Sequence, residues 1–191
     1  MSSESLVSIA LGLGLSAACG FRVFVPLLAV SAAANLGYVQ VSPGFSWMAT
    51  TPALVAFGTA TALEVAAYYV PWLDNFLDAV ATPAAVLAGV IASASVFVGM
   101  PALVRWSAAL IGGGGAAGLI QSATVLLRIK SLATTGGLGN PVVSTAELVG
   151  STVTSVLAIA IPILCLTLLV VGSILVFRNA GKIFFGRRTV P

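Results

Sequence analysis

Apolar residues run through this chain in stretches longer than a strand or a core helix requires, and charged residues stand mostly between them. The runs cover about positions 6–33, 52–69, 82–98, 107–127 and 145–177. At about 20 apolar residues per crossing, the pattern predicts an all-α, multi-pass transmembrane bundle of five spans, a single domain over 1–191. The last run, around 33 residues, is longer than a ~30 Å hydrocarbon layer needs at about 1.5 Å per residue. Tilt, a kink at Pro162, a protruding end, or a sixth pass made by splitting the run there absorbs the excess. Between the second and third runs, Pro71-Trp72-Leu73-Asp74-Asn75-Phe76-Leu77-Asp78 reads as a short amphipathic helix lying on the membrane surface.

Composition agrees. Of 191 residues, 59% are hydrophobic and 7% charged, against about 25% charged in soluble domains, so lipid is the expected solvent. The net charge of +3 comes largely from Arg178, Lys182, Arg187 and Arg188. It speaks to a cytoplasmic C-terminus and not to nucleic acid. The absence of histidine removes His-Glu-x-x-His metal sites and histidine-assisted nucleophiles. Gly137-Leu138-Gly139 is followed by Asn140, so no Gly-x-Gly-Asp protease motif is present. No enzyme, metal or cofactor is expected. Cys19 and Cys165 read as small buried thiols, and Met1-Ser2-Ser3-Glu4 lacks the basic start of a cleaved signal.

The polar residues inside the runs are the candidates for function. Arg22 lies near the middle of the first run, four residues before Pro26, and either faces the bundle interior or snorkels to the headgroups. Glu64 is an intramembrane carboxylate, a counter-ion for Arg22 or a proton carrier. Gly112-Gly113-Gly114-Gly115 forms either a tight helix-packing surface or a broken helix lining a site. With Gln121, Arg22 and Glu64, Gly113 and Gly114 complete the expected substrate site. Asp74 and Asp78 share one helical face, available to a cation or a basic partner, or simply solvated. Arg128, Lys130 and the turn containing Gly136, Gly137 and Asn140 form a second candidate set for an anion or lipid headgroup, the turn through a backbone nest. A tight membrane-edge turn is the plainer reading. Ser144-Thr145-Ala146-Glu147 fits a capping box, which gives Glu147 a structural role.

A faint internal echo links Ala17-Ala18…Arg22 to Ala116-Ala117…Gln121, and Thr61-Ala62-Leu63-Glu64-Val65 to Thr145-Ala146-Glu147-Leu148-Val149. Copies three spans apart would be inverted in the membrane, an architecture of transporters with interrupted helices. Five spans with the C-terminus inside leave Arg128 and Lys130 outside, against the positive-inside rule. Pairing with Asp74 and Asp78 would account for that.

Ser16-Ala17-Ala18-Cys19-Gly20-Phe21-Arg22 with Pro26-Leu27-Leu28, then Glu64, Pro71, Asp74 and Asp78, and Thr134-Thr135-Gly136-Gly137-Leu138-Gly139-Asn140-Pro141 together resemble one family, the domain of unknown function numbered 4126. The resemblance covers nearly the whole chain. It implies a small multi-pass protein of the bacterial inner (plasma) membrane and no transferable activity.

Two functions are therefore expected in order. The first is a transporter or channel for an ion or small, anionic solute. The second is a lipid-binding or assembly subunit. Membrane lipids and the solute are the expected partners, with homo-oligomerisation through small-residue faces such as Gly12, Ser16 and Gly20.

Overall fold

The computed structural model describes the backbone of residues 3–185 and the side chains of 4–70, 80–175 and 178. The described residues are helical throughout, without strands. The elements are α1 (Ser3–Cys19), α2 (Phe24–Asn35), a 3₁₀ segment (Pro43–Ala49), α3 (Thr51–Ala67), α4 (Pro71–Val96), α5 (Ala102–Ala108), a π-helical turn (Ala109–Gly113), α6 (Gly114–Thr135), α7 (Asn140–Ala160) and α8 (Pro162–Phe185). The side chains of Asp74, Asp78 and Lys182 and the whole of Arg187 and Arg188 lie outside the described residues.

Proline places most of the boundaries. Pro26, Pro52, Pro71, Pro141 and Pro162 all stand in first turns, where the missing N–H would have had no intrahelical partner. Pro26 and Pro162 thus start new helices rather than bend old ones. Within α4, Pro83 is the exception.

Central to the bundle is α1. Ser16 Oγ donates to the Gly89 carbonyl at 2.6 Å, and Ser93 Oγ reaches the Gly12 carbonyl at 3.3 Å, so α4 runs antiparallel to α1. Ser151 Oγ donates to the Ala18 carbonyl at 3.0 Å, and Gly14 lies against Ala158, so α7 is antiparallel too. Gly112 packs on Leu13, and Gly20 on Ala117 and Gln121, so α6 runs parallel to α1. The chain reverses at residues 20–23, since Tyr38 and Val39 beyond α2 share a groove with Glu4 and Leu11. It reverses again at Ile161 (φ −141°, ψ 72°). There Cys165 Sγ comes within 3.6 Å of the Thr154 carbonyl, whereas eleven residues of straight helix span about 16 Å.

Several sequence expectations are corrected by these directions. The first apolar run is a helical hairpin, α1 and α2, and not one span. The last run is a second hairpin, α7 and α8, which is the split at Pro162. Asp74 and Asp78 belong to the first turns of α4 rather than to a separate surface helix. Residues 101–106, between the third and fourth apolar runs, largely form α5. The echoing segments of α1 and α6 run in the same direction, so they are not an inverted pair. Among the described residues, two helices, Ala102–Thr135 and Asn140–Ala160, are long and apolar enough to cross a membrane, and the other apolar stretches, such as Val80–Val96 and Pro162–Leu175, are shorter.

The glycine run is a packing device. Gly113 faces Gly89 and Ser93 of α4, Gly114 faces Val86 and Val90, and Gly112 faces Leu13. Close backbone approach of this kind is what glycine permits and any Cβ would block. Gly115 looks into open space. Gly113→Ala should therefore destabilise the protein by about 1–3 kcal/mol through overpacking, while Gly115→Ala should be neutral or stabilising by up to about 1 kcal/mol. Thermal unfolding in detergent measures both, and equal effects would refute this placement.

Candidate functional site

The break between α1 and α2 creates an electrostatic problem. The α2 N-terminus has Val23 at its cap position, a residue without a side-chain acceptor, and no local cap is made. Its first amides need an acceptor, because an unpaired buried N–H is costly. Glu64 on α3 supplies it: the Val23 amide donates to Oε1 at 2.8 Å and the Phe24 amide to Oε2 at 3.0 Å. A carboxylate there also meets the positive end of the α2 dipole. Gly20 fits the turn against α6, where a Cβ would collide with the Ala117 carbonyl.

Arg22, in the same turn, is 2% exposed. Its NH2 group donates to the Ser144 carbonyl at 2.8 Å and to Ser144 Oγ, and lies 3.5 Å from Glu147 Oε2. Its Nε and NH1 are buried and have no hydrogen-bond partner. Arg128 on α6 holds Glu147 with a fork: Nε donates to Oε1 at 2.9 Å and NH2 donates to Oε2. Both guanidinium groups lie over the Tyr68 ring, Arg22 at 3.8 Å and Arg128 at 4.5 Å from its centroid. Such stacking is worth more where the cation is desolvated. Gln121 and Thr124 are buried on the α6 face that bears Arg128, and the Thr124 hydroxyl donates to the Gln121 carbonyl at 2.9 Å.

Thus Arg22, Glu64 and Gln121 do gather around one break. The direct Arg22–Glu64 pair does not form; Glu64 serves the backbone amides, and the carboxylate nearest Arg22 is Glu147. Gly113 and Gly114 lie elsewhere, against α4. Glu147 engages Arg128 inside the bundle, and the expected pairing with Asp74 and Asp78 falls on side chains outside the described residues. Lys130 is exposed. Gly136 (φ 60°) and Gly137 (φ 93°) form a left-handed helix cap. The turn's amides are used internally: Gly136 donates to Leu132, Leu138 to Thr135, Gly139 to the Thr135 hydroxyl and Asn140 to Gly137. The anion nest is not made by these amides.

Glu147, Ser144 and Tyr68 were not legible as site residues. The capping-box reading fails because α7 already begins at Asn140, which puts Ser144 and Glu147 one to two turns inside the helix. The signal was present in Asn140-Pro141, an earlier helix start than Ser144.

Losing one member of the Arg128–Glu147 pair removes a buried, charge-assisted fork, at a cost of about 3–5 kcal/mol. In the double-mutant cycle of Arg128→Met and Glu147→Gln, the double variant should lose less stability than the sum of the singles. Additive losses in thermal unfolding would mean that the two groups do not couple.

Residues 9–182 match the family model described as Domain of unknown function (DUF4126). No curated protein matches the chain, and no solved structure matches it.

Proposed function

We propose, from the premise that the chain belongs to the DUF4126 family, that it is a small membrane-embedded transporter or channel for a small anionic solute. The observation that carries this reading is Arg22, a guanidinium 2% exposed whose Nε and NH1 have no hydrogen-bond partner among the described residues. A buried cation keeps open donors at a cost, and inside a membrane such a residue marks a pathway or a ligand site by default. A helix break at the same place, with an N-terminus facing the site, is how transporters build anion sites at depth.

Lipid as the surrounding solvent is supported by the outer faces of the bundle. Leu103, Ile111, Leu126, Leu127 and Ile129 on the α5–α6 rod, and Ile163, Leu168 and Leu175 on α8, are all exposed. In water such surface would be a large apolar patch. Transport is favoured over headgroup binding because Arg128 is already held by Glu147 and the turn at 136–140 spends four of its five amides on internal acceptors.

The reversal at Ile161 also bears on orientation. It brings the end of α8, with Arg178, to the same end of the bundle as Lys130 at the close of α6, while Glu4 lies at the other. The conflict at Arg128 and Lys130 then disappears, while Arg105, next to Leu103 and Val104 beside Ile9, goes to the other end, and the shared basic end is the cytoplasmic one. With Glu4→Cys and Arg178→Cys, membrane-impermeant thiol labelling should reach opposite sides; labelling of both from one side would refute the arrangement.

The functional test is flux. Purified protein in lipid vesicles should release trapped chloride, nitrate, formate or acetate, and Arg22→Met should reduce the rate at least tenfold while the protein remains folded. No flux of any of these anions through folded protein, or flux unaffected by Arg22→Met, would overturn the reading.

A further inference from the structure

We infer that Glu64 is a tethered occupant of an anion site, and that a small planar monovalent oxyanion takes its place on the α2 N-terminus when it binds. This deepens the transport reading and rests on it for its biological meaning. The site itself is argued separately.

The contacts of Glu64 are those of a bound carboxylate. Its two oxygens sit on two consecutive amides at 2.8 and 3.0 Å, at the positive end of a twelve-residue helix. That is how a free anion binds a helix N-terminus. Yet the carboxylate comes from α3 and not from the capped turn, so the occupant and the site belong to different elements. A local Ser, Thr or Asp at the cap would satisfy the same amides permanently. Here the cap residue is Val23, which leaves the amides free whenever Glu64 withdraws.

The break also carries more donors than Glu64 uses. Arg22 directly precedes the capped turn, and its Nε and NH1 are buried and unpartnered. Among them they carry three N–H donors, none of which Glu64 uses. Thr61 Oγ1, three residues before Glu64 on the same face of α3, is likewise buried without a partner. A planar oxyanion has three oxygens, or two and a small substituent, and can meet the helix amides and an arginine donor together. The tethered carboxylate meets only the amides.

The tether is lightly held. Of the α3 residues from Thr51 to Ala67, only Ala53 is buried, and that residue lies at the opposite end of the helix from Glu64. An element with so little buried surface opens at lower cost than the core around α1. While Glu64 occupies the amides, the competent state is a minor one, and apparent affinity for a free anion is reduced by its population.

Nitrate is the probe, being planar, monovalent and unreactive. The full chain in detergent is titrated with nitrate, in wild-type form, as Glu64→Ala, and as Glu64→Ala combined with Arg22→Met. Glu64→Ala should bind nitrate at least tenfold more tightly than wild type, and the added Arg22→Met should remove that gain. Equal affinity in wild type and Glu64→Ala, or a gain that survives Arg22→Met, would overturn the inference. If Glu64→Ala does not fold, Glu64→Gln takes its place under the same criteria. A second measurement separates an exchangeable occupant from a fixed cap. In wild type, saturating nitrate should raise modification of Glu64 by a hydrophobic carbodiimide, read by mass spectrometry. Unchanged modification would mean a fixed cap and would also overturn the inference. Tighter nitrate binding by Glu64→Ala without any anion flux in vesicles would keep the site and remove the transport role. Wild-type flux with unchanged nitrate affinity would remove the tethered occupant alone.

Discussion

Two main-chain amides at an interior helix break, answered by one carboxylate from a third helix, are the constraint from which the rest of this structure follows. Without Glu64, the amides of Val23 and Phe24 would face an apolar bundle with no acceptor. With it, α1 and α2 can end and begin inside the protein, and Arg22 is carried into the interior at the turn between them. A short hairpin thereby places charge where a continuous helix would have placed only side-chain methyls.

The break then requires a counter-structure. Arg22 finds Ser144 and Glu147 on α7, Glu147 is shared with Arg128 on α6, and Tyr68 gives both guanidinium groups an aromatic face. Four elements contribute, so the network ties the bundle together at one level. Its worth lies in what happens when it is incomplete, since a lone buried charge is far costlier than the pair is stabilising. The Nε and NH1 donors of Arg22 are the part of this network left without a hydrogen bond among the described residues, and the proposed anion site rests on them.

Close packing makes the level possible. Gly12, Ser16, Gly89, Ser93 and Gly113 bring α1, α4 and the π turn together with little more than backbone between them. The hydroxyls of Ser16 and Ser93 bond to each other and to carbonyls of the two helices. Small residues let these helices meet through close contact and hydrogen bonds, the way helices pack in an apolar medium. The glycine run therefore serves the scaffold, and the polar site lies further along α6, where Gln121, Thr124 and Arg128 follow one face.

The amino-acid sequence by itself determined the helical class and singled out Arg22, Glu64 and Gln121 as polar residues inside apolar runs. Each of these depends on local composition: long apolar runs, scarce charge, and polar residues that interrupt them. It offered a split at Pro162 as one alternative and read the first run, Pro26 included, as a single span, since a proline in an apolar run is equally compatible with a kink. Only the tertiary structure decided that both prolines begin new helices, because that depends on whether α2 and α8 find partners after turning back. It alone decided who answers whom. Spacing along the chain carries no information on whether Arg22 meets Glu64 or Glu147, since these lie 42 and 125 positions away and meet only when α3 and α7 pack beside the break. The direction of each helix is a global property for the same reason: every added reversal changes which basic residues share an end, and no local pattern counts reversals.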